Sequence, residues 1–184
     1  MPLPHHWTLE EVLALSLVPR MRAVDLRGLV EQYASLEALL QAAPPELQKV
    51  RLGNDTLFSR SSSNLLEAAE KQLVLCEENS VQIVSYWDEE YPALLKEIFY
   101  PPTLLYVRGR LQAPDAAAIA IVGTRHCTDY GKMVAEQYAE ALVASGVVVV
   151  SGLATGIDTY AHKAAVKNSG ITYAVIASGI DKIN

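Results

Sequence analysis

Val147-Val148-Val149-Val150-Ser151-Gly152-Leu153-Ala154-Thr155-Gly156-Ile157-Asp158 decides the fold of this 184-residue chain. Valines without polar alternation mark a strand buried on both faces. The glycine loop then breaks that strand, and Ile157 to Lys167 resumes at helical spacing before Gly170. The same unit recurs on either side. Upstream, Ala118 to Val122 is an apolar strand and Gly123-Thr124-Arg125 a turn. Tyr130 to Ser145 is then an amphipathic helix, with Val134, Tyr138, Ala141 and Leu142 on its stripe and Gly146 at its end. Downstream, Ile171 to Ala177 is a third strand, closed by Ser178-Gly179. The order β-α-β-α-β with apolar strands predicts an α/β fold: an extended Rossmann-like parallel sheet with helices on both faces. Right-handed crossovers bring all three strand-to-helix turns to one rim.

In open parallel sheets that rim is where ligands bind. Glycines let backbone N–H groups approach a ligand closely, and helix amino ends favour anions, so the rim suits phosphate. The candidates are Gly123, Thr124 and Arg125 from the first turn, Ser151, Gly152, Thr155 and Gly156 from the second, and Ser178 and Gly179 from the third. Arg125 can hold a phosphate with its forked donors. Tyr130 can stack on a base, and Lys132 and Lys163 are weaker cationic candidates. Neither Gly-x-Gly-x-x-Gly nor a Gly-x-x-x-x-Gly-Lys-Ser/Thr loop is present, so no dinucleotide or P-loop site is read. Tight turns at the glycines and a surface ion pair at Arg125 are the competing structural readings. Asp158 reads as a first-turn acid and His162 as a packing residue.

Ahead of this region the sequence is helical. Thr8 with Glu11 is a capping box, and Leu9, Val12, Leu13 and Leu17 follow at helical spacing up to Pro19. Leu26, Leu29 and Val30 form a second stripe, and Ser35 caps a third with Leu36, Leu39 and Leu40, ended by Pro44-Pro45. Ser61 to Asn64 precede another helix over Leu65 to Cys76. This predicts a small all-α domain over 1–75 and a Rossmann-like domain over 76–184, the latter opening with β-rich Val81 to Val84 and Leu104 to Val107.

Composition bounds the function. A chain 51% hydrophobic and 20% charged is globular, and its longest apolar runs fall far short of a membrane span of ~20 residues. Met1 to Trp7 has no basic stretch before an apolar run, so no secretory signal is read and a cytoplasmic location is expected. Cys76 and Cys127 lack metal-ligand spacing and are expected to be reduced thiols, with no metal site. Residues 119–184 balance Arg125, Lys132, Lys163, Lys167 and Lys182 against Asp129, Glu136, Glu140, Asp158 and Asp181. The net charge of −6 therefore sits entirely upstream, leaving room for a local cationic site but not for a broadly basic protein.

At the residues just described the chain resembles the DNA-processing protein A family (DprA, also called Smf). The matching strings are Ile121 to Arg125 with Tyr130-Gly131, Ser151 to Asp158 continuing to Ala161-His162, and Ser178-Gly179-Ile180-Asp181. Upstream, Tyr91-Pro92-Ala93-Leu94-Leu95 and Pro101-Pro102-Thr103-Leu104-Leu105-Tyr106-Val107-Arg108-Gly109 also match. The resemblance implies a helical SAM or helix-hairpin-helix-like domain before the Rossmann-like one. It also implies single-stranded DNA binding, delivery of incoming DNA to the RecA recombinase in natural transformation, and a homodimer for the full-length protein. It implies neither catalysis nor a cofactor. By position, Arg125 would contact a DNA phosphate and the glycine loops would wall the adjoining pocket. The family's hairpin glycine is replaced here by Val18-Pro19-Arg20-Met21-Arg22, which argues against DNA binding by the helical domain. Family members continue beyond the Ser178-Gly179 loop, so the chain is expected to be a fragment. The rival reading is a nucleotide-binding enzyme like the phosphoribohydrolases, with Asp158 or Asp181 as its carboxylate. A third is an interaction scaffold with an empty glycine rim.

Overall fold

A computed structural model describes residues 3–4, 6–43, 51–52, 55–56, 62–113 and 115–180, and divides the chain into compact units 1–114 and 115–184. The first unit opens with α1 (Leu9–Ser16), α2 (Ala23–Gln32) and α3 (Leu36–Ala42). The capping box forms in full: the Glu11 N–H donates to Thr8 Oγ1 (3.2 Å) and the Thr8 N–H to Glu11 Oε2 (2.9 Å). Glu11 Oε1 also accepts from the Leu36 N–H (3.3 Å), so one carboxylate fixes the starts of two helices. Ser35 caps α3 through the Ala38 N–H. Val12, Leu13, Leu15, Val30, Leu36 and Leu39 are fully buried in one core with Trp7, Leu65 and Trp87. Pro44-Pro45 lies outside the described residues.

This segment is not purely helical. A short antiparallel ladder, β1 (Arg51–Leu52) with β2 (Asp55–Thr56), separates α3 from α4 (Ser62–Glu78). After α4, β3 (Val81–Ser85) pairs antiparallel with β4 (Leu104–Arg108), enclosing the short α5 (Ala93–Lys96). These strands fall within the first compact unit, which runs to Pro114. Physically, β3 and β4 complete each other's ladder and pack on the α4 segment instead of joining the parallel sheet. The Tyr91 hydroxyl donates to the Pro102 carbonyl (2.8 Å), and burial pushes its pKa up to about 12. Thr103 Oγ1 donates to the Ala23 carbonyl (2.9 Å) and the Arg27 guanidinium to the Pro101 carbonyl, anchoring the Pro101–Thr103 turn on α2.

The second unit is a three-stranded parallel sheet in the order β5 (Ala118–Ala120), β6 (Val148–Ser151), β7 (Thr172–Ala174). The connecting helices are α6 (Asp129–Ala144) and α7 (Ile157–Lys167). Both crossovers step in one direction, and right-handedness then places both helices on one face. They pack on each other and on β6 through Ala139, Val149, Ala161, Ala164 and Ala165, whose short side chains permit close approach. The expectation of helices on both faces is corrected for the described residues of this unit. On the opposite face Val148 is buried, Ala118, Val150 and Tyr173 are half-buried and Ala120 is exposed. The α6 stripe is also shifted, with Ala135 and Ala139 buried while Tyr138 points to solvent. Gly146 terminates α6 at φ +72, whereas the left-handed residue after α7 is Ser169 (φ +56) rather than Gly170. Gly170 is instead small because Val143 fills the space a Cβ would take.

No helix among the described residues is long and apolar enough to cross a membrane, and no group of ligating side chains among them could hold a metal. Cys76 and Cys127 are both free thiols.

Candidate nucleic-acid interface

Parallel pairing in register, Ala118 with Val148 and Val149 with Thr172, puts the carboxyl ends of β5, β6 and β7 on one rim. The first two turns are stitched together at their bases. Ser151 Oγ donates to the Ile121 carbonyl (2.6 Å), and the Ile157 N–H donates to the Thr124 carbonyl (3.2 Å). Gly156 (φ +90, ψ −135) lies against the first turn so closely that a Cβ would meet Thr124 O at 2.2 Å and the Arg125 Cα at 2.7 Å. Only glycine combines that backbone conformation with that approach. Gly123 is small for a different reason: a Cβ there would collide with the Ile157 side chain at 2.7 Å.

Asp158 sets the loop from within. Its carboxylate is 6% exposed and accepts the N–H groups of Gly152 (3.1 Å) and Ala154 (3.4 Å), while Thr159 Oγ1 donates to the Ala154 carbonyl (2.8 Å). The loop N–H groups expected to cradle an external anion are thus partly engaged by an internal one. Behind it, Thr172 Oγ1 donates its single hydrogen to the Val149 carbonyl (2.8 Å), so His162 Nδ1 must be the donor in its 2.7 Å contact with that hydroxyl. His162 is buried, its pKa lowered by burial against a smaller opposing pull from Asp158.

Beside the loop opens a cleft of about 390 Å³ lined by Arg125, His126, Cys127, Thr128, Lys132, Gly156 and Tyr160. Thr128 caps α6 by accepting the Gly131 N–H (3.2 Å), which orients the 125–128 turn along one wall. Arg125 is exposed and has no ion-pair partner among the described residues. Lys132 pairs with Asp129 (2.8 Å); that hydrogen bond raises the lysine pKa and lowers that of Asp129, whose side chain is 98% exposed. Such a solvated pair is weak and exchangeable.

The structure sorts the sequence candidates. Arg125, Lys132 and Gly156 line the cleft, with Gly123 and Thr124 in its adjoining turn. Thr124 Oγ1 is occupied locally by the His126 N–H (3.2 Å). Tyr130 stands 72% exposed on the first turn of α6, and Thr155 is exposed on the loop. Ser151 and Gly152 are internal: the serine is 2% exposed and bonded to Ile121, and the glycine faces Asp158. Lys163, Ser178 and Gly179 are exposed but do not line the cleft, and Asp181 lies outside the described residues. His126, Cys127, Thr128 and Tyr160 were not among the sequence candidates. Thr128 carried a legible signal, as a hydroxyl residue directly ahead of an acidic first turn. Tyr160 carried none, because its nearness to Lys132 follows from the packing of α6 on α7.

The chain is similar to proteins of one kind. Residues 82–184 match the family described as DNA recombination-mediator protein A. Over 180 residues, 93% of this chain and 44% of the relative, it is 34% identical to Protein Smf of Synechocystis. Over 97 residues, 53% of this chain and 34% of the relative, it is 43% identical to DNA processing protein DprA of Streptococcus pneumoniae. The crystal structure of the pneumococcal protein superposes with a TM-score of 0.66 at 28% identity, covering 95% of this chain and 59% of that one. The chain spans less than half the length of these two curated relatives.

Proposed function

The chain belongs to the DNA recombination-mediator protein A family, and from that premise we propose that it carries the single-stranded-DNA-binding part of a mediator that protects incoming DNA and delivers it to the RecA recombinase in natural transformation. The observation that carries the reading is Arg125, exposed and without an ion-pair partner among the described residues, at a cleft it shares with Lys132. A guanidinium and an ammonium lining one cleft, with no Asn or Gln side chain among its lining residues, recognise backbone phosphate rather than sequence. The protein is cytoplasmic and homodimeric at full length in this reading, and it uses no cofactor.

The nucleotide-hydrolysing alternative needs a carboxylate free to take a proton. Of its two candidates, Asp181 lies outside the described residues, and Asp158 is 6% exposed and holds two backbone N–H groups, which suits a loop fastener and not a base. An electrophoretic shift assay with single- and double-stranded oligonucleotides at two salt concentrations tests the proposal. Preferential, salt-sensitive retardation of the single strand is expected; equal retardation of both forms, or base release from nucleoside monophosphates, contradicts it.

A further inference from the structure

We propose that the segment from Pro92 to Tyr100 in the first unit is a docking face for a polypeptide that carries basic side chains around an apolar anchor. The segment runs between two fixed points. The Tyr91 hydroxyl is tied to the Pro102 carbonyl, and the Pro101–Thr103 turn is pinned on α2. No residue of α5 is buried, and Leu94, Ile98, Phe99 and Tyr100 are all exposed, Phe99 at 85%. Large apolar side chains scattered singly over a surface need no explanation, but four between positions 94 and 100 form a patch. Phe99 and Tyr100 meet edge to face with ring centres 4.5 Å apart, so both rings are held in place before anything binds. Aromatic side chains presented in this way are typical energetic centres of protein interfaces.

Charge selects the occupant. Between residues 88 and 100 stand Asp88, Glu89, Glu90 and Glu97, against the single cation Lys96. Glu89, Glu90 and Glu97 are exposed and in no ion pair among the described residues. The nearby cations are turned elsewhere: the Lys96 ammonium lies over the rings of Tyr86 (5.2 Å) and Tyr91 (5.6 Å), and the Arg27 guanidinium over Tyr86 (4.8 Å). Arg22 is paired with Asp25 (2.7 Å). An apolar patch flanked by unpaired carboxylates repels a DNA strand and an anionic lipid surface. It also disfavours a second copy of itself, because a two-fold contact would set like carboxylates against each other. A protein surface with an apolar side chain among lysines or arginines satisfies both halves of the face. The first unit thereby gains a task distinct from phosphate binding, the recruitment of a protein.

The test uses three short fluorescent helical peptides against the whole chain in anisotropy titrations: one of leucine and lysine at amphipathic spacing, one with glutamate for every lysine, and one with serine for every leucine. Binding of the leucine–lysine peptide is expected, with neither of the others retained. The double variant Leu94→Ser, Phe99→Ser is expected to weaken that binding roughly tenfold. Its urea midpoint should stay at the wild-type value, because neither side chain is buried. The triple variant Glu89→Gln, Glu90→Gln, Glu97→Gln leaves the apolar patch intact and is expected to weaken binding and flatten its salt dependence. Wild-type protein that ignores the leucine–lysine peptide, or binds the leucine–glutamate one equally well, overturns the proposal, as does undiminished binding by both variants. A dimer in sedimentation that the double variant dissolves would give the face to a second copy instead. Loss of single-stranded DNA affinity in that variant would give it to nucleic acid.

Discussion

The two compact units both carry strings that resemble the same family, but they put those strings to different use. In the first unit the Tyr91-Pro92 and Pro101-Pro102-Thr103 residues close on one another and on α2. Tyr91 binds the Pro102 carbonyl, Thr103 the Ala23 carbonyl, and Arg27 the Pro101 carbonyl. Their polar groups face inward, and what they produce is a connection between β3 and β4 that is fastened at its end. In the second unit the loop after β6 is fastened from within by Asp158, and Arg125, Lys132 and Tyr160 around it keep groups turned toward an open cleft. A matching string is therefore not in itself a binding site; whether its polar atoms already have internal partners decides.

That contrast can be broken experimentally. The largest effect is expected at Gly156, where a Cβ would strike the Thr124 carbonyl and the backbone would be forced into a region closed to other residues. Gly156→Ala should cost at least about 3 kcal/mol of stability and displace Arg125, so that denaturant midpoint and DNA affinity fall together. A midpoint within error of wild type would show that the two turns are not pressed together. A smaller effect is expected in the first unit. Tyr91→Phe removes a buried hydrogen bond and should cost about 1 kcal/mol in urea unfolding, with single-strand affinity unchanged. A marked affinity loss there would erase the distinction between the units.

The smallest expected effect is a pH dependence at His162. Its folded pKa is lowered by burial, so the unfolded chain binds the proton more readily. The stability this group contributes is complete above the unfolded value of about 6.5 and is lost as pH falls from there through the folded value. In His162→Gln the loss of stability between about pH 7.5 and 5.5 should be shallower than in wild type. Parallel pH profiles would show that the ring is already solvated.

Much of this was legible in the sequence, and for identifiable reasons. Capping at Thr8, Glu11 and Ser35, the bounds of α7 and the parallel direction of the three strands follow from local chemistry and periodicity. The strands are shorter than their apolar runs, since Val122 and Val175 lie beyond the ladder and are exposed. The placement of both helices on one face depended on strand order, which hydropathy does not carry. The site was half-legible: Arg125 and Gly156 were marked by their turns. That Gly152 is consumed internally depends on an aspartate whose side chain could as well have faced solvent, and that Ser151 is consumed depends on the Ile121 carbonyl brought beside it by strand pairing.

The proposed function stands or falls on contact between Arg125 and a phosphate of single-stranded DNA. The most direct measurement is the dependence of the logarithm of the affinity on the logarithm of salt concentration, for wild type and Arg125→Ala, on oligonucleotides of unrelated sequence. Loss of one phosphate contact should reduce the steepness of that dependence by about 0.7 and lower affinity to a similar extent for every sequence. An unchanged slope in a folded variant, or a loss confined to one sequence, would contradict it.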